Sequence, residues 1–151
     1  MAEEMVEERS LEDSLKELLA NNIAMFLKAS GFHWNVEGRD FYQFHAFFKE
    51  IYEDVYSAVD PTAENLRKLG TYAPFTLPTL DKLREVDDKK VTTDPIVMCV
   101  DLNDANDLLL ECLGECFALA TKANEQGIAN FIAERDDMHK KWRWQLTSIL
   151  K

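Results

Sequence analysis

Three histidines, His33, His45 and His139, together with scattered acidic residues, are the side chains of this sequence best suited to hold a metal ion. Imidazole combined with carboxylate suits iron and similar metals, so the places to look are histidines and acids on apolar helix faces. Bundles that hold two irons inside one chain use two Glu-x-x-His pairs on different helices, and this sequence contains no Glu-x-x-His. The nearest pattern runs from Asp136 to His139; beside Arg135, Lys140 and Lys141 it reads as a solvated helix face. His33 and His45 remain, and a tight link between two helices could bring their rings together. Asp60 and Glu64, at i and i+4, point to one side of a helix and could supply carboxylates. Along a continuous helix the step from His45 to Asp60 is roughly 22 Å, beyond the reach of two side chains to one ion. One chain therefore cannot close such a site. Two copies of the helix, antiparallel about a two-fold axis near Tyr52 and Glu53, would set Asp60 and Glu64 of one copy opposite the histidines of the other. A plainer reading stays open: core histidines with satisfied hydrogen bonds, and Asp60-Pro61 as the N-cap and first-turn proline of a restarting helix.

The elements that must position these residues are helical. Ser10 followed by Asp13 resembles a capping box, and Leu11, Leu15, Leu18, Leu19, Met25, Phe26, Ala29 and Phe32 then recur at helical spacing to about Asn35. Gly38 breaks the pattern, Asp40 can cap a second helix, and Phe41, Phe44, Phe48, Ile51, Val55 and Val59 form its stripe. Between Gly70 and Pro95, prolines and threonines surround a short helical candidate from Thr79 to Glu85. Asp94-Pro95 starts a third helix, carried by Ala105, Leu109, Cys112, Cys116, Leu119 and Ala123 to near Asn124. Gly127 separates it from a fourth, with Ile128, Phe131, Met138, Trp142 and Ile149 interrupted by Arg135. The expected fold is all-α, a four-helix bundle of ferritin-like arrangement with one long crossover that carries a short helix. The second helix has surplus apolar surface in His45, Phe47, Tyr52 and Tyr56, which implies a further packing partner or a contact with the crossover helix.

A chain of 151 residues, 46% apolar and 30% charged, fits one globular domain. The net charge of −11 disfavours nonspecific binding to polyanions and favours cations. No apolar run is long enough to span a membrane, and the N-terminus is acidic where a secretory signal would be basic and then apolar, so a cytoplasmic location is expected. Cys99, Cys112 and Cys116 fit neither a disulfide framework nor a zinc-finger spacing and are expected to be buried, reduced thiols.

The segment FHWNVEGRDFYQFHAFF, with His33, Trp34, Asn35, Val36, Gly38, Phe41 and His45, resembles the Dps family, the miniferritins that protect DNA in starved bacteria. The likeness continues through DPTAE (Asp60 to Glu64), Leu69-Gly70 and the stretch around Trp142, so it covers nearly the whole chain. It implies one ferritin-like domain over residues 1–151, with residues 1–9 an acidic tail, assembled from two-fold dimers into a hollow dodecamer. Such a cage oxidises ferrous iron between subunits, preferably with hydrogen peroxide, and stores the ferric product. By that resemblance the chain is expected to be a ferroxidase. His33 and His45 become the histidine ligands, Asp60 and Glu64 the partner chain's carboxylates, and Trp34 an electron donor near the metal.

Three departures modify that picture. Family members usually carry Asp or Glu four residues after the second histidine, where this chain has Lys49, and a protonated ammonium cannot ligate iron. Lys49 could pair with the neighbour's Asp60 or Glu64, which predicts one firmly bound iron per site; Glu50 and Glu53 stand near but not at the family position. Residues 1 to 9 have glutamates and no lysine, unlike the Lys-rich tails of DNA-binding members, which argues against direct DNA binding. The acidic pore expected at the last helix junction meets Glu125, Gln126 and Asn130 here, which leaves Glu134 as an alternative. The competing readings are a structural or sequestering cage whose oxidation Lys49 has blunted, and a DNA-coating protein.

Overall fold

The computed structural model describes residues 9–151, so the expected acidic tail lies, apart from Arg9, outside the described residues. The first helix, α1 (Leu11–Asn35), begins at its predicted cap: Ser10 Oγ accepts the Asp13 N–H at 3.1 Å. The predicted second helix is broken once, into α2 (Phe41–Ser57) and α3 (Val59–Lys68). Pro61 explains the break, because it has no N–H to offer the Ser57 carbonyl one turn back. The turn before it tightens, and Ala58 N–H bonds to Val55 O at 3.1 Å. A short α4 (Leu77–Leu83), α5 (Pro95–Lys122) and α6 (Gln126–Ile149) complete an all-helical order with no strand among the described residues. Asp94 caps α5 as predicted, accepting from Ile96 N at 2.8 Å.

Pairs α1–α2 and α5–α6 form hairpins that pack together through α1 and α5. Their shared core holds Leu15, Leu18, Met25, Phe48, Ile51, Met98, Leu102, Leu109, Ile132 and Leu146, all shut off from solvent. Burying each such side chain contributes about 1.5–3 kcal/mol, which fixes the hairpins against each other. The crossover lays α4 on α1 and is tied down beyond it, where Asn21 Oδ1 accepts from Glu85 N and Val86 N. The outer arc of α2 stays open: Tyr42 and Tyr56 are 84% and 61% exposed, whereas Phe47 turns inward to meet Trp142 edge-on at 6.2 Å.

Four sequence expectations need correction. Asp40 stands at the N-cap of α2, its carbonyl accepting the Phe44 N–H at 3.1 Å, but its side chain makes no cap bond; the chain enters through Gly38, at φ +123°, whose carbonyl takes the Phe41 N–H. The short crossover helix starts at Leu77 rather than Thr79. Gly127 lies in the first turn of α6, and the break belongs to Asn124 at φ +59°. There Glu125 N–H bonds Ala120 O and Asn124 N–H bonds Thr121 O, the paired closure that a left-handed residue permits.

The fourth correction is the largest. His139 is not on a solvated face but is 1% exposed. Its Nδ1–H donates to Asn106 Oδ1 at 2.7 Å, and its Nε2 accepts from Arg135 Nη2 at 3.1 Å. Arg135 also forks onto Asp54 at 2.8 and 2.9 Å, and Trp142 Nε1–H donates to the same carboxylate at 2.8 Å. Arg135, His139 and Trp142 recur at i, i+4 and i+7, a buried face in polar residues that the neighbouring lysines obscured. Burial drives the His139 pKa down to about 3, helped by Arg135 and opposed by Asp54. Asp54 is held below its ordinary pKa: burial pulls upward, but the bonds from Arg135 and Trp142 outweigh it.

Candidate metal centre

The last turn of α1 and the second turn of α2 meet across the link through Gly38, and this brings His33 and His45 face to face. Their ring centroids are 3.7 Å apart with planes inclined by 13°. Each ring is fixed by the other residue's backbone: His33 Nδ1–H donates to His45 O at 2.5 Å, and His45 Nδ1–H donates to His33 O at 2.6 Å. A carbonyl can only accept, so both Nδ1 atoms carry the proton, and in the neutral rings both Nε2 atoms keep a free lone pair. An outer partner on one ring nitrogen is what fixes a metal-binding histidine's tautomer and orientation. The two Nε2 atoms are a pair of imidazole donors, a ligand type that suits iron, zinc, copper and nickel alike.

Aromatic rings bracket the pair. Phe41 stacks on His45 at 4.8 Å, and Tyr52 meets His33 edge-on at 5.4 Å, so four rings form a column. The apolar pattern placed Phe41 in the core stripe, but it is 41% exposed and stacks on His45; its place four residues before His45, on the same helix side, was the available signal. Trp34, next to His33 in sequence, is 69% exposed.

Asp60 and Glu64 lie on the exposed side of α3, beyond the break at Ala58. The structure does not bring them to the histidines of their own chain: among the described residues no three His, Cys, Asp or Glu side chains gather closely enough to hold a metal ion. Within one chain, then, the histidine pair supplies two donors. Lys49, one turn beyond His45, is exposed and its ammonium lies 3.8 Å from Glu53 on the same helix. Glu53 is thereby turned to Lys49 and Glu50 stands exposed beside it.

The family model of the ferritin-like domain matches residues 12–151. A DNA protection during starvation protein of Brevibacillus brevis is 28% identical over 141 residues, covering 91% of this chain and 92% of that one. A protein of the same name from Helicobacter pylori is 39% identical over 79 residues, 52% of this chain and 55% of its own. Among solved structures, the Dps protein of Vibrio cholerae O1, described as a member of a broad superfamily of ferritin-like diiron-carboxylate proteins, superposes with a TM-score of 0.90 at 26% identity, over 93% of this chain and 89% of that one.

Proposed function

The chain belongs to the Dps proteins of the ferritin-like family, and from that premise we propose that it binds and oxidises ferrous iron between subunits and stores the ferric product. The observation that carries this reading is the reciprocal tie between His33 and His45, which engages both Nδ1 atoms and leaves the two Nε2 atoms of one ring stack as donors. Asp60 and Glu64 of a two-fold-related chain complete the site. The exposed aromatic arc of Trp34, Tyr42 and Tyr56 supports that pairing, since a face of this kind gains by being covered. Carboxylates stabilise the ferric state more than the ferrous one and so favour loss of the electron.

Hydrogen peroxide is the oxidant. One peroxide takes two electrons and two protons to give two waters, so two ferrous ions are consumed for each peroxide. Lys49 occupies the sequence position at which family members carry a carboxylate, and its ammonium would repel a second cation there, so one iron is firmly held per site and the second electron comes from a loosely held ion. The homo-oligomer is a dodecameric cage in the cytoplasm, with iron reaching its interior past Glu134, which lies exposed on α6 within 3.5 Å of Asn130. No helix of the described residues is long and apolar enough to cross a membrane. Lys49 also favours a second reading, a sequestering cage with blunted oxidation. A charge of −11 gives no support to direct DNA coating.

The test is to load ferrous iron without oxygen, add peroxide and follow ferric absorbance in wild type, His45→Ala and Lys49→Asp. The proposal expects oxidation to collapse in His45→Ala and to rise in Lys49→Asp. Equal rates in wild type, His45→Ala and Lys49→Asp would reject the site, whereas a wild type as slow as His45→Ala beside a fast Lys49→Asp would establish the sequestering cage.

A further inference from the structure

Cys112 and Cys116 stand one turn apart on α5 and are 5% and 0% exposed, where α5 packs on the first half of α1. Their thiols meet each other, and each also meets a polar side chain of α1: Cys112 meets Asn21, and Cys116 meets Ser14. Cys112 Sγ lies 4.0 Å from the Ser14 backbone carbonyl as well. Asn21 distinguishes this pair from ordinary buried thiols. Its Oδ1 accepts from Glu85 N at 2.7 Å and from Val86 N at 3.1 Å, which fixes the amide and turns Nδ2 toward the sulfurs. Asn21 is wholly buried, and Nδ2 finds no hydrogen-bond partner within ordinary reach. A stranded donor of this kind costs about 1–3 kcal/mol unless an acceptor is placed before it, and a thiolate sulfur would be that acceptor.

The spacing selects among the chemistries open to two thiols. Cβ atoms at i and i+4 of a helix are about 5–6 Å apart, whereas a disulfide needs roughly 3.5–4.5 Å. An intact α5 therefore holds the sulfurs too far apart to bond and at a suitable spacing to share an ion. Structural zinc wants four ligands, and no third His, Cys, Asp or Glu joins this pair among the described residues. Thiolates select soft cations, and Cu(I), the soft monovalent ion among the biological first-row metals, is satisfied by two of them. We propose that Cys112 and Cys116 bind one Cu(I) ion between their sulfurs, with Asn21 Nδ2–H stabilising the thiolate charge; the Ser14 hydroxyl proton is already given to Leu11 O at 2.8 Å. Two S–H bonds break, two S–Cu bonds form and two protons leave; copper arrives and stays as Cu(I), so no electron is transferred. Burial alone disfavours thiolate here, and sharing with the neighbouring sulfur holds the Cys112 proton still more tightly. A cation placed between the sulfurs takes over that proton's role. Asn21 is 12 residues from His33 along α1, roughly 18 Å, so this site is separate from the histidine column.

Cu(I) titrated without oxygen against bathocuproine disulfonate tests the proposal on the assembled protein. Wild type and Cys99→Ser should each take up one ion per chain, and Cys112→Ser and Cys116→Ser should each lose it. Asn21→Asp keeps the acceptor for Glu85 N and Val86 N but removes the N–H, and should weaken binding roughly 10–100-fold. X-ray absorption at one equivalent on wild type should show sulfur neighbours only, and this decides the matter even where a serine variant fails to fold. Nitrogen neighbours, meaning that the histidine pair has taken the copper, would overturn the proposal, as would full retention in either serine variant.

Discussion

Replacing His139 by glutamine should remove a defined part of the protein's acid sensitivity. In the folded chain the ring is 1% exposed and hemmed in by Arg135 from α6, Asn106 from α5 and Asp54 from α2. Its pKa falls from the ordinary 6.5 to about 3, chiefly through burial. The unfolded chain therefore binds a proton that the folded chain refuses, throughout the window from about pH 6.5 down to about pH 3. A base with a depressed folded pKa contributes stability at neutral pH and loses it as pH falls through that window. Between pH 7.5 and pH 5 the loss amounts to about 2 kcal/mol, since each unit below 6.5 costs about 1.4 kcal/mol. Glutamine cannot titrate, so that component should vanish even if the variant is less stable at every pH. Urea unfolding followed by far-ultraviolet circular dichroism, at matched chain concentration because assembly adds to apparent stability, gives both slopes. Wild type should lose about 2 kcal/mol more than His139→Gln over that interval. Identical pH dependence in the two proteins would refute the burial argument.

Asp54→Ala removes the acceptor of three hydrogen bonds and strands the Arg135 guanidinium and the Trp142 N–H; because the pair is partly reached by water, unfolding experiments should show a loss of about 2–4 kcal/mol, not more. Phe41→Ala takes away the ring stacked on His45, and anaerobic titration should show ferrous affinity about tenfold weaker with stability little changed. At Asn124, where φ is +59°, glycine should raise stability by up to about 1 kcal/mol and valine should lower it by about 1–2 kcal/mol in the same urea measurement.

The extents of α1 and α5, the Ser10 and Asp94 caps and the long crossover were legible because each rests on local spacing and capping chemistry. The pairing of His33 with His45 was legible too, since Gly38 permits the reversal between them. The column around them was not, because Phe41 fits an apolar stripe and a ring stack equally well until the helices have an orientation. The buried network at His139 was hidden for another reason. Charged residues on α6 look solvated one at a time, and only Asp54 and Asn106, distant in sequence, supply the partners that allow their burial. The break at Ala58 was readable from Pro61, although its place, one turn earlier, depends on the carbonyl that proline leaves without a donor.

The central claim is that two chains make each iron site, and mixing inactive chains tests it most directly. Chains carrying His33→Ala and His45→Ala, and chains carrying Asp60→Ala and Glu64→Ala, should each lack tight ferrous binding. In a mixed pair one site receives both defects and the other receives none. Co-assembled at equal amounts with random pairing, the mixture should regain tight binding at about a quarter of its sites, as two-fold symmetry dictates. Tight binding retained by either parent alone, or none regained by the mixture, would contradict a site shared between chains.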